Sequence, residues 1–308
     1  MAAQIIDGSK VAENIKLKVK AEIESIKSKC GKVPKLVAIQ AGENPASKIY
    51  VKNQQAVCAE MGINYELKQL PAEIDEKQLT EVIKTVNNDV SVNGVILQMP
   101  LPQNINSRKM QMVIDPKKDV EGITPTNLGL LLYSGVAPVV APCTACAVIE
   151  LLNSLNIPLK GKETVIVGHS EIVGKPVTLM LLNSLLESAT PTVCHIATKD
   201  LAYHTSRAEV LIVAAGKAGL IKGNMVKDGA IVIDVGINRI QIKDANGAPV
   251  IDEKTGKPKM KTVGDVVYDE AVNRAGFITP VPGGVGPVTT TILVRNMLQL
   301  FKVQNENI

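Results

Sequence analysis

The sequence predicts an α/β protein with two domains, and three observations point to this class. Apolar runs of strand length alternate with segments of helical spacing along most of the 308 residues. The alternation breaks once, in a proline-rich stretch around residues 101–145, and then resumes. The length is sufficient for two domains with substantial cores. Alternating strands and helices favour parallel sheets with helices on their faces.

The first half of the sequence shows the alternation clearly. Helical spacing over residues 9–29 is followed by patterns in the order strand 34–42, helix 46–61, strand 63–70, helix 76–88 and strand 94–100. The apolar run at 34–42 is bounded by proline and glycine, which is typical of a buried strand. Strand–helix–strand units of this kind predict parallel pairing.

The proline-rich stretch predicts a junction between domains. Its prolines force extended or turning backbone at positions 102, 116, 125, 138 and 142. We therefore place the junction near residues 140–150. The predicted domains are residues 1–145, on which a terminal helix within 287–308 packs back, and residues 146–286.

Beyond the junction the alternation predicts a second sheet. The predicted strands cover residues 163–168, 192–196, 210–216 and 230–238, and the clearest helix covers 173–186. The polar segment 243–261, with glycine and proline punctuation, predicts an exposed loop or hairpin. Helical spacing returns over residues 287–303.

Composition and charge exclude several classes of function. There are 34 basic and 30 acidic residues, a net charge of +4, and the basic residues form no blocks. This pattern argues against a nucleic-acid partner. No apolar stretch reaches 18 residues, so no membrane span is predicted. The first residues lack an apolar core followed by a small-residue cleavage site, so a cytoplasmic location is the expectation.

The five cysteines predict free thiols, because their number is odd and no signal peptide is evident. Cys143 and Cys146 form a CxxC pattern, which also suits a redox pair or half of a zinc site. A second CxxC is absent from the sequence, and the three histidines lack metal-ligand spacing. We therefore predict no metal.

The segment VIVGHSEIVGKPV (165–177) has the layout of a dinucleotide site. A strand ends at Gly168, a tight turn follows, and Gly174 lies in the first turn of a helix. Glycines at such positions let the backbone approach a pyrophosphate at a helix N-terminus. Ser170 replaces the middle glycine of the usual pattern, and its hydroxyl can also donate to phosphate. The alternative is an ordinary strand–turn–helix with packing glycines.

Two further segments are candidates for ligand contacts. VPGGVGP (281–287) is nearly without side chains, so a flat ligand can lie against its backbone, or the segment is a rigid connecting loop. DPKKDVEGITPTN (115–127) contains Asp119 and Glu121. A carboxylate there suits hydrogen bonding to an amino-pyrimidine ring, and the alternative is a solvated surface charge.

The segment SKIYVKNQQAVCAEMGI (47–63) predicts a helix with Tyr50 and Gln54 on one surface, since residues four apart are neighbours on a helix. A tyrosine–lysine pair at that spacing suits proton transfer. Glutamine cannot take or give a proton near neutral pH. The pair therefore indicates either an enzyme that has lost one reaction or a helix that never took part in catalysis.

Eight motifs occur in an order and spacing that point to one family. They are GENPASKIYV (42–51), GVILQMPLP (94–102), KDVEG (118–122), PCT (142–144), VGHSEIVGKP (167–176), GAIVIDVGIN (229–238), VGDV (263–266) and ITPVPGGVGP (278–287). Together they resemble the family of methylenetetrahydrofolate dehydrogenase/methenyltetrahydrofolate cyclohydrolase, and the likeness covers nearly the whole chain.

The resemblance implies two reactions. A hydride passes from the methylene bridge of 5,10-methylenetetrahydrofolate to NAD(P), and the methenyl product is hydrolysed to 10-formyltetrahydrofolate. It also implies an N-terminal α/β catalytic lobe, a C-terminal Rossmann-like nucleotide-binding lobe and a cleft between them. A folate substrate and a homodimer through the nucleotide-binding domain are the partners it implies.

The resemblance assigns roles to single positions. Tyr50 matches the tyrosine that packs on the folate ring, and Gln98 matches the glutamine beside the one-carbon unit. The loop under the folate corresponds to Pro282, Gly283, Gly284, Val285 and Gly286. The positions that match cofactor contacts are Gly168, Ser170, Ile237 and, near the nicotinamide, Thr289.

Two departures from the family pattern lie in the folate site. The family has lysine at the position of Gln54 and assigns it to the cyclohydrolase step. A general base typically contributes 10²–10⁴-fold, whereas hydride transfer mainly needs positioning. We therefore predict that the dehydrogenase survives and the cyclohydrolase is weak or absent; the alternatives are a bifunctional enzyme and a non-catalytic folate-binding protein. Glu121 replaces the aspartate that binds the pterin, which changes the reach of the carboxylate.

A third departure concerns the cofactor. Members that use NADP place an arginine at the position of His169 and often a serine at that of Ile196. A 2′-phosphate needs cationic, bidentate donors, and a histidine is a weaker donor of that kind than an arginine. Ile196 offers no donor, and the nearby Glu171 repels a phosphate. NAD is therefore favoured over NADP.

Overall fold

The computed structural model describes residues 2–133, 138–244, 247–253 and 255–305. Its helices are α1 (Gly8–Cys30), α2 (Pro45–Met61), α3 (Glu76–Asn88), α4 (Ser107–Gln111), α5 (Pro125–Leu130), α6 (Cys143–Asn153), α7 (Gly174–Leu181), α8 (Leu201–Thr205), α9 (Tyr268–Ala271) and α10 (Val285–Gln304). Its strands are β1 (Gln4–Ile5), β2 (Lys35–Ala41), β3 (Asn64–Leu70), β4 (Gly94–Leu97), β5 (Glu163–Val167), β6 (Thr190–Cys194), β7 (Val210–Val213), β8 (Ile231–Asp234), β9 (Asn238–Gln241), β10 (Met260–Val263) and β11 (Phe277–Ile278).

The chain divides into two compact units. The three-strand unit holds Ala12–Ala147 and the residues from Thr289 onward. The six-strand unit holds the residues up to Val11 together with Val148–Val288. The sequence prediction placed the first residues in the N-terminal domain, whereas β1 pairs with β11 and so lies in the six-strand unit.

The three-strand unit is built on a parallel sheet in the order β3-β2-β4. Alternate residues of β2 face opposite sides, as the period of a strand requires. Leu36 and Ala38 join a core with apolar residues of α1, α2 and α10. Val37 and Ile39 join a second core with apolar residues of α3 and α4. Helices therefore cover both faces of the sheet, as predicted.

The six-strand unit is built on a parallel sheet in the order β1-β11-β8-β7-β5-β6. Strands β7 and β8 are buried throughout, which is the pattern of strands covered on both faces. The chain returns from the edge strand β6 to β7, on the far side of β5. Such a reversal places the carboxyl ends of neighbouring strands where α/β proteins bind their ligands.

One of two predicted segments agrees with the structure, and the other differs in where it ends. The polar segment 243–261 lies between β9 and β10, which pair antiparallel as a hairpin; residues 245, 246 and 254 lie outside the described residues. The helix predicted over 173–186 ends at Leu181 instead. The hydroxyl of Ser184 accepts hydrogen bonds from the backbone N–H groups of Leu186 and Glu187, and this local turn competes with the helix.

No helix in the described part of the chain is long and apolar enough to cross a membrane.

Candidate active site

Gln54 and Gln98 form the polar centre of the three-strand unit. Gln54 lies in the middle of α2, and Gln98 follows β4 directly. The side-chain nitrogen Nε2 of Gln98 donates a hydrogen bond of 2.6 Å to Oε1 of Gln54. Gln98 is buried and Gln54 is half-buried, so this bond is partly shielded from water. The structure thus brings together the two glutamines that the sequence pointed to.

Tyr65 is the third member of this group, and the sequence reasoning missed it. Its hydroxyl donates to the same Oε1 atom of Gln54 at 3.2 Å. Tyr65 lies on β3 and packs, half-buried, against the core under α2. The alternation of β3 would have placed Tyr65 and Leu67 on one face, but it does not reveal which helical residue the phenol reaches.

The end of β4 is held in place by backbone contacts. The backbone N–H of Gln98 donates to the carbonyl of Ile39 on β2 at 2.8 Å. The hydroxyl of the buried Ser47, on α2, donates to the carbonyl of Met99 at 2.8 Å. Strand β2 and helix α2 therefore fix the backbone at Gln98 and Met99.

Tyr50 lies one helical turn before Gln54 and is 56% exposed. A ring this accessible can pack against a ligand, as the resemblance implies. Lys52 is also exposed, and two residues along a helix correspond to about 200° of rotation, so it lies on another face from Tyr50.

Asp119 and Glu121 have different environments. Asp119 is buried, and its carboxylate accepts hydrogen bonds from the backbone N–H groups of Gly122 and Thr124 and from the side chain of Asn127. Glu121 is half-buried, and its carboxyl group has no hydrogen bond or ion pair within the described residues. Burial, with a smaller contribution from the charge of Asp119, raises the pKa of Glu121 to about 8. Asp119 therefore shapes the loop, and Glu121 retains its capacity to bind a ligand.

The turn after β5 fits a dinucleotide. Gly168 has φ of +123°, and a Cβ atom there would lie 2.2 Å from the carbonyl oxygen of Ala214. A Cβ atom on Gly174 would lie 1.9 Å from the carbonyl oxygen of Gly168. Only glycine fits at either position, so strand and helix approach as closely as a pyrophosphate-binding turn requires. The Ser170 hydroxyl accepts from the N–H of Val173 and keeps its proton for donation.

His169 and His195 lie at the carboxyl ends of β5 and β6. Their rings are 4.9 Å apart between centroids, with a tilt of 30°. The backbone N–H of Ala197 donates to Nδ1 of His195. Ile196 is fully exposed, and Glu171 forms an ion pair with Lys175 at 3.2 Å. This group therefore presents two imidazoles and an apolar side chain, but no arginine.

The loop from Pro282 to Gly286 lines a cavity of about 200 Å³ together with the segment Asp234–Ile237. Ile237 is 58% exposed. The loop packs closely on the start of α1, where a Cβ atom on Gly8 would lie 1.8 Å from the carbonyl oxygen of Gly284. The predicted ligand loop and one predicted cofactor contact therefore share one cavity. Thr289 lies on α10, in the three-strand unit.

Asp234 lines this cavity and is hydrogen-bonded to the backbone of Asp265, and the sequence reasoning gave neither residue a role. The Asp234 carboxylate accepts from the backbone N–H groups of Gly236, Asp265 and Val266. The Asp265 carboxylate accepts from the N–H groups of Ala215 and Gly216 and from the side chain of Asn238. The two side chains tie together the segments that follow β7, β8 and β10. Burial raises the pKa of Asp234 to about 6.

No group of three or more histidine, cysteine or acidic side chains in the described ranges is arranged to hold a metal ion. All five cysteines are free thiols.

These features define a two-unit α/β protein that has a dinucleotide-type turn in one unit and a hydrogen-bonded pair of glutamines in the other. Two family models match the chain: the catalytic domain of tetrahydrofolate dehydrogenase/cyclohydrolase over residues 6–121, and its NAD(P)-binding domain over residues 142–305.

Relatives match over the full length. The bifunctional protein FolD of Syntrophobacter fumaroxidans is 44% identical over 307 residues, covering 99% of both chains. The structure of the bifunctional enzyme FolD of Campylobacter jejuni, a methylenetetrahydrofolate dehydrogenase/cyclohydrolase, is 40% identical with a TM-score of 0.88, covering 98% of this chain and 99% of that one. The corresponding enzyme of Trypanosoma brucei, solved with NADP and an inhibitor, is 35% identical with a TM-score of 0.88 and 98% coverage of both chains.

The chain belongs to the tetrahydrofolate dehydrogenase/cyclohydrolase family. The resemblance read from its motifs and the predicted α/β fold class are both confirmed.

Proposed function

We propose that the protein is an NAD(P)-dependent enzyme that oxidises 5,10-methylenetetrahydrofolate to 5,10-methenyltetrahydrofolate in one-carbon metabolism. The observation that carries the proposal is the glycine turn at Gly168 and Gly174, which fits a dinucleotide within a chain that matches the family throughout. When bound, the nicotinamide supplies a hydride acceptor for the methylene carbon of the folate.

The remaining groups have positioning roles on this proposal. Tyr50 packs on the folate ring, and Gln98 lies beside the one-carbon unit. Glu121 accepts hydrogen bonds from the amino-pyrimidine edge of the pterin. The loop Pro282–Gly286 lies under the folate. Holding donor and acceptor in a reactive geometry is the main requirement of hydride transfer.

We propose NAD as the favoured cofactor. The trypanosomal relative was solved with NADP, so the family accommodates a 2′-phosphate. In this chain His169 and Ile196 stand where NADP-using members place arginine and serine, and Glu171 adds a negative charge nearby. Two imidazoles are weaker phosphate donors than a guanidinium. A lower KM for NAD than for NADP is the expected result.

For the cyclohydrolase reaction there are two alternatives: the protein catalyses it, or its activity is weak or absent. The relatives carry the name bifunctional, which supports the bifunctional alternative better than the loss of cyclohydrolase. The observation that favours a weak cyclohydrolase is the neutral side chain at position 54, held between Tyr65 and Gln98. An amide cannot exchange a proton as water attacks the methenyl carbon.

A paired assay on purified protein separates the candidates. One half follows oxidation of 5,10-methylenetetrahydrofolate with NAD and with NADP. The other half follows decay of 5,10-methenyltetrahydrofolate above its spontaneous rate, in wild type, in Gln54→Lys and in the control Gln55→Lys. Gln55 is exposed on the same helix, so this control adds the same charge outside the site.

Each outcome has a defined meaning. Decay that appears only in Gln54→Lys, by about 10²-fold or more, supports a dehydrogenase that lacks the second activity. Fast decay in wild type establishes the bifunctional enzyme. Absence of nicotinamide reduction at saturating folate and cofactor would refute the proposed dehydrogenase and leave a folate-binding protein.

We also propose a homodimer through the nucleotide-binding domain. Strand β6 is an edge of the six-stranded sheet, and edge strands are ready to pair with another chain. The nearby Leu185 and Leu186 are 94% and 75% exposed, and Val193 on β6 is 38% exposed. Sedimentation of the wild type and of Leu185→Ser/Leu186→Ser tests this: a dimer that becomes monomeric in the variant supports it, and a monomeric wild type contradicts it.

A further inference from the structure

We propose that Tyr65 is a positioning residue that fixes which end of the Gln98 amide faces the substrate. The inference rests on the proposed function, because it concerns the residue beside the one-carbon unit. It assigns a role to a side chain that lies outside the family motifs found in the sequence.

The direction of the hydrogen bonds among Tyr65, Gln54 and Gln98 is set by one acceptor atom, Oε1 of Gln54. Oε1 of Gln54 accepts from the Tyr65 hydroxyl at 3.2 Å and from Nε2 of Gln98 at 2.6 Å. Tyr65 lies on β3 and Gln98 directly follows β4, and these two strands flank β2, so the Gln54 amide links the two sides of the central strand. A carbonyl oxygen has two lone pairs, and both are now in use.

The Gln98 amide is oriented as a consequence. Its nitrogen is used by Gln54, and its oxygen has no hydrogen-bond donor among the described residues. The Gln98 oxygen therefore remains for the ligand. Lysine at position 54 would carry only donors, so Gln98 would have to turn its oxygen toward it and its nitrogen away.

Tyr65 enforces this direction because its hydroxyl is a donor at the site. Burial raises the pKa of the Tyr65 phenol, with a smaller contribution from the nearby Cys58, so the proton stays on the oxygen. If both amides turned over, Gln54 would donate to the Gln98 oxygen and to the phenol oxygen, and the phenol proton would be left without an acceptor among the described residues. In the described residues, no charged side chain forms a hydrogen bond with Tyr65, Gln54 or Gln98.

This orientation of the Gln98 amide favours dehydrogenation over the cyclohydrolase reaction. When the hydride leaves with both electrons of the C–H bond, positive charge develops over the N5–C–N10 bridge of the folate. The negative end of the Gln98 amide dipole stabilises that charge, whereas an amide nitrogen would oppose it. Tyr65 therefore supports dehydrogenation through Gln54 and Gln98 without touching the substrate.

The first test needs no turnover. Protein labelled with ¹⁵N-glutamine shows the side-chain amide signals of Gln54 and Gln98, assigned from their disappearance in Gln54→Glu and Gln98→Glu. Tyr65→Phe should move both pairs of signals, whereas Tyr268→Phe should move neither. Tyr268 is half-buried in the six-strand unit, and its hydroxyl makes no hydrogen bond within the described residues. Unmoved signals in Tyr65→Phe, with unchanged thermal unfolding, would overturn the proposal.

The second test separates hydrogen bonding from packing. Tyr65→Phe should lower kcat for folate oxidation about fivefold, the value of one ordinary hydrogen bond, and leave the KM for folate within about twofold. In the Gln54→Lys background the same substitution should have little effect, because lysine already orients Gln98. An equal fall in both backgrounds would show that Tyr65 acts by packing alone. A wild type without oxidation would defeat the proposed function, and the amide signals would still decide the role of Tyr65.

Discussion

Each of the two units contains a polar network, buried in the six-strand unit and half-buried in the three-strand unit, and the networks use their hydrogen bonds differently. In the six-strand unit, Asp234 and Asp265 together accept six hydrogen bonds, five of them from backbone N–H groups. In the three-strand unit, Tyr65, Gln54 and Gln98 share one acceptor atom. The first network is saturated by the protein, whereas the second keeps the Gln54 nitrogen and the Gln98 oxygen without partners among the described residues.

The difference separates two tasks. A buried carboxylate whose oxygens all accept from backbone N–H groups fixes the loops that carry those groups. Each N–H group left without an acceptor would cost free energy. A neutral amide with a spare donor or acceptor fixes less, but it can still bind a ligand. The same logic divides Asp119, which holds its loop, from Glu121, which has no hydrogen-bond partner in the described chain.

The largest effect should come from breaking the saturated network. Asp265→Ala leaves the N–H groups of Ala215 and Gly216 and the side chain of Asn238 without their acceptor. The expected loss is about 3–4 kcal/mol in the free energy of unfolding, reduced somewhat because Asp234 loses a repulsive neighbour. Urea unfolding measures it.

The exposed Asp269→Ala is the matched control for that substitution and should change the free energy of unfolding by less than about 0.5 kcal/mol. A loss below about 1 kcal/mol in Asp265→Ala would contradict the structural role of the network.

An intermediate effect should depend on pH. The pKa of Glu121 is raised from 4.5 to about 8 in the folded protein. Its stabilising contribution is therefore fully present below pH 4.5 and is lost as the pH rises toward 8. Glu121→Gln should gain stability relative to wild type by roughly 2 kcal/mol between pH 5 and pH 8.5, after allowance for the residual exposure of the side chain.

Unfolding of both proteins across that range checks the sign. The exposed Glu73→Gln should follow wild type throughout and serves as the control. A stability difference between Glu121→Gln and wild type that stays constant with pH would show that Glu121 is ionised in both states.

The smallest effect on the free energy of unfolding should come from a solvent-exposed carboxylate that also accepts a hydrogen bond from a backbone N–H group. Asp75 caps α3, accepting from the N–H of Gln78 at 2.7 Å while the Gln78 side chain accepts from the N–H of Asp75. Asp75→Ala should cost about 1 kcal/mol in the free energy of unfolding, and Asp75→Ser only a few tenths. Equal losses in Asp75→Ala and Asp265→Ala would mean that burial does not set the value of these bonds.

The sequence was sufficient to predict what depends on local pattern. Apolar periodicity located the long helices and the buried strands, and the glycines of VIVGHSEIVGKPV indicated the turn whose closeness the structure shows at Gly168 and Gly174. Strands β1 and β11 have two residues each, which is too short for any periodicity. After the end of α7 the Ser184 hydroxyl accepts bonds from the backbone of a local turn, which helical spacing alone does not reveal, so the spacing overestimated the length of the helix.

The sequence identified most residues of the candidate site, but only some of their hydrogen-bond partners. Gln54 and Gln98 were identified from motifs, but their hydrogen bond depends on the register of β2 with β4 and on the position of α2. Tyr65 was missed because a half-buried tyrosine on a strand looks like a packing residue, and nothing nearby in sequence marks the residue its hydroxyl reaches. The roles assigned to single side chains remain predictions for the experiments above.

The pairing of β1 with β11 has a consequence for protein synthesis. Gln4 leaves the ribosome 273 residues ahead of Phe277, the residue with which it pairs. At about 5 to 20 residues per second, roughly 14 to 55 s separate the two events. In the last part of that interval, after β8 has been synthesised and before β11 has, the backbone edge of β8 is open to chaperones or to another nascent chain. The six-stranded sheet therefore closes only after most of the chain has been translated.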